Sequence, residues 1–177
     1  MGKKKTCLLF FFAENLKSKK FLSKANDNKT VFYTAKEKQT LRSHQIYRHV
    51  LGEDVKKSTL IFEEKDDTFS CFVRKTITHR YIMIGTHHTD KTEYRVLSAD
   101  NPSGEFQTFL PREEKHEYTL HDGGDVFFVI SNENAKNFQI LTAPKEFPTD
   151  KKKWKEYIPH REDVLVEGAT ILKVMKF

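Results

Sequence analysis

The sequence is poor in the residues that build metal sites, disulfide frameworks and membrane spans. Its 177 residues include only two cysteines, Cys7 and Cys71, and these are too far apart for a metal-binding spacing or a disulfide framework. Such a sequence suits a reducing compartment, so we expect a cytoplasmic protein. No apolar run approaches the ~18 residues that a membrane-spanning helix needs, and we therefore expect no membrane partner.

Catalytic and nucleotide-binding motifs are also missing. The chain has only seven glycines, and no glycine-rich loop for phosphate occurs. A nucleophile elbow requires Gly-x-Ser-x-Gly, and no serine has glycine at both of these positions. Ser103, which precedes Gly104, is predicted to be a turn residue. We therefore predict no catalytic, cofactor-binding or metal-binding residue in this chain, and no cofactor.

The histidines offer no metal site on their spacing. His87 and His88 are adjacent, so on a strand they point to opposite faces and do not easily share an ion. His44 and His49 are an odd number of residues apart, which also places them on opposite faces. No local set of cysteine, aspartate and histidine has the spacing of a zinc site.

Two acidic runs are candidates for acid–base chemistry. They lie at 63–67 and 113–114, in equivalent places between predicted units. This recurrence indicates solvated connecting loops instead of a site. Pairing with Lys65, Arg112 and Lys115 is a sufficient explanation for the charge.

The net charge of +6 and the pI of about 9.2 admit two interpretations. A basic protein can bind nucleic acid or another acidic surface, or its lysines can simply be scattered over the surface. Lysine clusters only at 3–5 and 151–153, and elsewhere basic residues alternate with acidic ones. The pattern favours scatter, so we expect no nucleic-acid partner.

A repeat of 48 residues organises the chain. The stretch 100–118 (DNPSGEFQTFLPREEKHEY) contains a turn, a short alternating strand and a burst of charge, and similar units surround Phe62 and Ile158. Phe62, Leu110 and Ile158 follow one another at intervals of 48 residues. A repeat of this length, built from short strands, is typical of the four-stranded blades of a β-propeller.

Short predicted strands follow at roughly ten-residue spacing, which favours an antiparallel meander over βαβ units. The run 81–86 (YIMIGT) is nearly all apolar, so we expect a central strand buried on both faces.

Ile46, Val96 and Ile140 are predicted to occupy equivalent positions on the third strands of the repeats. The segment 143–153 is expected to be an exposed loop. No helical pattern is evident.

We therefore predict an all-β fold, a partial β-propeller of four-stranded antiparallel blades. The expected division is an atypical leader at 1–23, a partial blade at 24–64, blades at 65–112 and 113–160, and the start of a truncated blade at 161–177. Within the leader, lysines precede the apolar run 7–13, as in a secretory signal, so export is an alternative to a cytoplasmic location.

Several long collinear segments resemble the propeller domain of the prolyl oligopeptidase family of serine peptidases, and its oligopeptidase B branch in particular. They are NDNKTVFYT at 26–34, KQTLRSHQIYRHVLG at 38–52, FEEKDDTF at 62–69, EYRVLSADNPSGEFQTFLPRE at 93–113, NAKNF at 134–138 and WKEYIPHREDVLVEG at 154–168. Ser98 stands where the family-like DADNP turn has its first aspartate. The resemblance covers about residues 24–170.

The resemblance implies a seven-bladed propeller, with about three blades present here, that caps an α/β-hydrolase domain carrying a Ser, Asp and His triad. In this branch the enzyme cleaves short peptides after Arg or Lys, and the propeller excludes folded proteins. None of the catalytic residues matches a position of this chain, so we expect the chain alone to be inactive. The expected partners are the missing blades, the hydrolase domain and, in the intact parent, short basic peptides.

Two hypotheses follow. In the first, the chain is a fragment of a serine oligopeptidase, from a truncated reading frame or a cut gene. An arc of blades then leaves sheet faces and strand edges uncovered, which promotes association. In the second, the chain is a stand-alone binding module without catalysis, and a monomer with a sharp unfolding transition is expected.

Overall fold

Three antiparallel sheets of four strands each make up the computed structural model, which describes residues 22–146 and 148–171. The first sheet contains β1 (Leu22–Lys24), β2 (Thr30–Lys36), β3 (Ser43–Val50) and β4 (Thr59–Glu63). The second contains β5 (Ser70–Lys75), β6 (Tyr81–His87), β7 (Thr92–Ser98) and β8 (Gln107–Leu110). The third contains β9 (Tyr118–Asp122), β10 (Val126–Ser131), β11 (Gln139–Pro144) and β12 (Lys155–Ile158).

Within each sheet the strands pair in chain order, which confirms the predicted meander. The helical elements of the described residues are two single 3-10 turns, Val55–Lys57 and Lys151–Lys153. No helix among these residues is long and apolar enough to cross a membrane. Cys7, the leader up to residue 21 and the final segment 172–177 lie outside the described residues.

The apolar core lies between successive sheets. We call the contact between the first and second sheets the first interface, and that between the second and third sheets the second interface. Buried members of the first interface include Phe32, Ile46, Val73 and Ile84. Buried members of the second include Tyr94, Phe109, Leu120 and Phe127. Because each interface has its own cluster, every sheet depends on its neighbours for burial.

Strand β6 is buried on both faces, as its sequence predicts. Residues 82–86 are all buried, and the strand pairs with β5 on one side and β7 on the other. Ile82 and Ile84 belong to the core of the first interface, whereas Met83 belongs to that of the second. Alternate side chains of one strand thus serve two interfaces, which explains why the run shows no polar alternation.

The first strands of successive sheets are linked by hydrogen bonds. Ser23 Oγ on β1 donates a hydrogen bond to Val73 O on β5 (3.5 Å), and Arg74 Nη2 on β5 donates one to Leu120 O on β9 (2.8 Å). At the other side of the third sheet, all residues of β12 are exposed. The first strands therefore form an inner edge, as blades do around a propeller axis, and the predicted fold class is confirmed.

Two features differ from the sequence-based expectations. Strand β1 was not anticipated, and its pairing with β2 completes the first sheet. The segment 143–153 is exposed only in part: Ala143 is fully buried in β11 and Lys145 is partly buried, whereas Glu146, Thr149, Lys152 and Lys153 are exposed. The expectation fails at its first residues because Lys145 packs on the rings of Tyr81 and Phe127.

The turn between β9 and β10 uses its two glycines for different purposes. Gly124 has a φ of +97°, in the left-handed region that favours glycine. Gly123 does not, and a Cβ placed there would collide with the ring of Phe128. Positive φ is thus required at one glycine, while the other makes room for an aromatic side chain.

Candidate functional site

One arrangement of serine, histidine and glutamate resembles a catalytic triad, and sequence spacing did not reveal it. Ser131 Oγ lies 2.9 Å from His116 Nε2, and His116 Nδ1 lies 3.7 Å from Glu113 Oε2. Ser131 is completely buried, with an exposed fraction of 0%. Its Oγ also accepts a hydrogen bond from Glu133 N (3.0 Å). Because a substrate carbonyl must reach the nucleophile, this serine is a structural residue.

His116 is held in its neutral form by the same environment. Burial lowers the pKa of His116, and the positive charge of Lys151 acts in the same direction. Lys151 itself pairs with Glu133 (2.7 Å) and Glu113 (3.6 Å). The ion pairs of Lys151 therefore connect the loop before β12 to the connection between the second and third sheets.

The second interface is closed at one end by a buried carboxylate. Asp122, at the end of β9, accepts hydrogen bonds from Lys145 Nζ (2.5 Å), Gly124 N (3.1 Å) and Arg80 Nη2 (3.2 Å), and from the hydroxyl of Thr78. Burial raises the pKa of Asp122, but the hydrogen bonds from Lys145 and Thr78 outweigh it, so the net shift is downward. The carboxylate is therefore charged and fully partnered at neutral pH.

Lys145 reaches Asp122 through an aromatic pair. Its Nζ lies 3.1 Å from the ring centroid of Phe127 and 4.6 Å from that of Tyr81, which are cation–π distances. Burial lowers the pKa of Lys145 to about 8, although the hydrogen bond to Asp122 acts in the opposite direction. The segment expected to be an exposed loop thus supplies a half-buried ammonium group to the interface.

Tyr118 links the third sheet to the second through its phenol. Its hydroxyl accepts a hydrogen bond from Tyr94 N (2.9 Å) and donates one to Leu110 O (2.9 Å). Tyr94 and Leu110 are the paired residues next to the β-bulge, where the ladder of β7 and β8 shifts register between Tyr94 and Arg95. The phenol therefore bridges two backbone groups beside the bulge. Burial raises the pKa of Tyr118, so the hydroxyl stays protonated.

Glu64 and Arg112 close the first interface in a similar way. Arg112 Nη2 lies 2.5 Å from Glu64 Oε2, and the guanidinium carbon lies 4.0 Å from the ring centroid of Phe69. Glu64 is buried, unlike its neighbours in the acidic run 63–67. The expectation of a solvated loop is therefore wrong at Glu64, while the other residues of that run are exposed. No carboxylate pair suited to acid–base chemistry results.

The other candidates from the sequence lie on the surface or in ordinary contacts. Ser103 is exposed and donates a hydrogen bond to Asn101 Oδ1 (3.1 Å). His87 is exposed at the end of β6, and His88 pairs with Asp90 (2.9 Å). Among the described residues, no group of three or more metal-ligating side chains is found.

A further feature is a cleft at the inner edge of the second interface, which we call the inner cleft. Its volume is about 210 Å³, and it lies where β5 and β9 end. It is lined by Arg74, Lys75, Thr76, Ile77, Met83, Leu120, His121, Asp122 and residues 169–171. Its charged residues are Arg74, Lys75 and Asp122. Asp122 is already fully partnered and the Lys75 ammonium bonds to Asn26 on the first sheet, so the charge that faces the cleft is that of Arg74. Sequence patterns could not reveal it, because β5 and β9 belong to different repeats.

Comparison with known proteins identifies the relatives of this chain. Residues 12–175 match the model of the family described as prolyl oligopeptidase, N-terminal beta-propeller domain. Dipeptidyl aminopeptidase BI of Pseudoxanthomonas mexicana is 37% identical over 145 residues, covering 81% of this chain and 20% of the relative. Protease 2 of Moraxella lacunata is 31% identical over 147 residues, covering 78% of this chain and 21% of the relative.

Solved structures point the same way. Oligopeptidase B from Leishmania major superposes with a TM-score of 0.74 at 27% sequence identity, covering 83% of this chain and 20% of that one. Oligopeptidase B from Trypanosoma brucei, with covalently bound antipain, gives a TM-score of 0.75 at 21% identity, covering 83% of this chain and 21% of that one; at this identity the likeness concerns the fold alone. The chain spans about a fifth of the length of the curated relatives it matches.

Proposed function

This chain belongs to the prolyl oligopeptidase family, and from this premise we propose that it is the propeller part of a longer serine peptidase that hydrolyses short peptides. The observation that carries the proposal is the match over residues 12–175 to the N-terminal propeller of that family. Ser131, the serine of the triad-like arrangement, is completely buried and offers no accessible nucleophile. The role of the chain is then to shape access to a catalytic site on another domain, and we expect the chain alone to be inactive.

A size filter is the role we propose for the propeller. The hydrogen bonds that join β1 to β5 and β5 to β9 support it, because the neighbouring first strands of propeller blades line a central passage. A passage of this kind admits an extended peptide and excludes a folded domain. The complete ring requires blades that the three described sheets do not supply, so the missing blades and a hydrolase domain are the proposed partners.

Cleavage after Arg or Lys is the proposed specificity of the intact protein. The likeness to oligopeptidase B at 27% identity supports it. The relative named as a dipeptidyl aminopeptidase favours a second possibility, the release of dipeptides. A blocked and an unblocked substrate of the same sequence separate the two.

The test compares this chain with the product of the complete coding region that contains it. Benzyloxycarbonyl-Arg-Arg and Arg-Arg, each coupled to a fluorogenic amide, are the substrates, and folded lysozyme is the size control. We expect the complete protein to cleave the blocked amide with sensitivity to serine reagents and to leave lysozyme intact, while this chain gives background turnover. Preference for the unblocked amide favours dipeptide release. Serine-dependent turnover by this chain alone would contradict the proposal.

A cytoplasmic location and the absence of a nucleic-acid partner are further parts of the proposal. Cys71 is a buried free thiol, which suits a reducing compartment. Several basic side chains, including Arg95 and Lys91, pair with carboxylates instead of forming a basic face. The alternative, a stand-alone binding module, predicts a monomer with a cooperative unfolding transition, and analytical ultracentrifugation distinguishes it from an associating arc of blades.

A further inference from the structure

We propose that the inner cleft binds a small oxyanion, and that its natural occupant is the C-terminal carboxylate of a short peptide. The identification of a peptide as the source rests on the proposed function above. The anion-binding chemistry itself rests on the residues of the cleft. Arg74 supplies charge, and Thr76 and His121 supply polar groups beside it.

Arg74 is held in place with most of its donors unused. Its Nη2 donates a hydrogen bond to Leu120 O (2.8 Å), which crosses the second interface. Its guanidinium carbon lies 5.7 Å from the ring centroids of both Phe72 and Tyr94. No carboxylate of the described residues forms an ion pair with it. A guanidinium has five N–H donors in a planar fork, which fits a carboxylate with two parallel hydrogen bonds.

Lys75 follows Arg74 on β5, so its side chain points to the opposite face of the sheet. It pairs with Ile82, a core residue of the first interface, whereas Arg74 pairs with Met83 of the second. Its Nζ donates a hydrogen bond to Asn26 Oδ1 (2.5 Å) on the turn of the first sheet. The positive charge available to the cleft is therefore that of Arg74.

The only acidic residue of the lining does not cancel this charge. Asp122 is fully buried, and its carboxylate is already paired with Lys145 and Arg80. These two cations outnumber the single carboxylate, so the Asp122 group adds no negative charge to the cleft at neutral pH. Burial lowers the pKa of His121, and the positive charge of Arg74 lowers it further. The neutral imidazole still has one N–H to donate.

Size and position favour the end of a peptide. The cleft volume of about 210 Å³ is several times the ~30 Å³ that one water molecule occupies in the liquid. It is smaller than the roughly 300 Å³ at which the pockets of larger ligands begin. A carboxylate with its terminal residue fits this space, whereas a folded segment does not. The cleft also lies on the inner edge, where an extended peptide would pass.

The experiment is a binding titration of the 177-residue chain, which requires no turnover. The probes are N-acetyl-Ala-Ala with a free carboxylate, N-acetyl-Ala-Ala-amide and inorganic phosphate, followed by amide chemical shifts in NMR spectra. We expect saturable shifts at the ends of β5 and β9 with the free carboxylate and none with the amide. Equal binding of the amide, or binding of phosphate without the carboxylate, would overturn the assignment.

Arg74→Gln should weaken carboxylate binding at least about tenfold, since hydrogen bonds to charged groups are among the stronger ones. Arg161→Gln is the matched control, because Arg161 is exposed and pairs only with Asp163 among the described residues. Equal weakening by both variants would overturn the proposal. If Arg74→Gln does not fold, Arg74→Lys takes its place. It keeps the charge but loses the planar fork, so a weakening of at least about threefold is expected, and an unchanged affinity would count against the site. Loss of binding would leave the peptidase proposal untouched, because that proposal is tested by turnover of the complete protein.

Discussion

Arg112 and Glu64 lie 48 residues apart in the sequence and form an ion pair of 2.5 Å across the first interface. Each is the second residue after an aligned strand position, Leu110 in one repeat and Phe62 in the other. The pair therefore joins the same position of two successive repeats. This relationship connects the sequence period directly to the contact between neighbouring sheets.

Loss of this pair should destabilise the chain. Arg112→Gln leaves Glu64 buried without its charged partner, and we expect the free energy of unfolding to fall by about 2 kcal/mol in urea titrations. Arg161→Gln, which breaks the exposed pair with Asp163, should change it by less than about 0.5 kcal/mol. Equal effects of the two variants would show that the interface does not depend on the pair.

The phenol of Tyr118 provides a second test of the interfaces. Tyr118→Phe keeps the ring but leaves Tyr94 N and Leu110 O without a partner, at a cost of about 2 kcal/mol in unfolding free energy. Tyr157→Phe is the matched change on exposed β12 and should be nearly neutral. A neutral Tyr118→Phe would mean that the bulge satisfies its backbone in another way.

Stability should rise with pH between about 8 and 9.5 because of Lys145. Its pKa falls from 10.5 in the unfolded chain to about 8 in the fold, so in this window the unfolded state holds more protons. The unfolding free energy therefore increases as pH rises through 8, and Lys145→Gln should flatten the increase. Lys155→Gln, on exposed β12, is the control. Urea titrations at several pH values measure the slope, and an unchanged slope in Lys145→Gln would contradict the assignment.

Cys71 should be protected from thiol reagents until the chain unfolds. The side chain is 2% exposed, and burial raises the pKa of its thiol to about 12. In a Cys7→Ser variant, which leaves Cys71 as the only cysteine, reaction with a disulfide reagent at pH 7.5 should be slow in buffer and rapid in urea. Rapid reaction without urea would show that the first interface opens readily.

The sequence repeat predicted the fold because local pattern and global architecture agree. Alternation located the strands after β1, and the 48-residue spacing located the fourth strands. Strand β1 could not be predicted, because three residues are too few to show alternation and the strand forms by pairing with β2. The predicted equivalence of Val96 with Ile46 and Ile140 is wrong. In the three sheets the register between the third and fourth strands shifts directly after Ile46, Tyr94 and Ile140, so Tyr94 is the equivalent residue of the second sheet. A bulge adds a residue that spacing alone does not reveal.

The polar contacts at the interfaces were beyond prediction for a different reason. Asp122 accepts hydrogen bonds from Thr78 and Arg80, which lie more than 40 residues earlier in the sequence. It also accepts one from Lys145, which lies in a segment whose composition suggests exposure. Each partner alone looks like a surface residue. Only the packing of one sheet on the next brings them together, and the inner cleft arises from the same packing.

The central claim is that this chain is the propeller part of a longer serine peptidase. The most direct measurement is to determine the DNA sequence on both sides of the coding region and translate it in all frames. The account predicts further four-stranded repeats of about 40–50 residues, followed downstream by a Gly-x-Ser-x-Gly elbow. Unrelated sequence on both sides would contradict it and would leave the stand-alone binding module as the explanation of these blades.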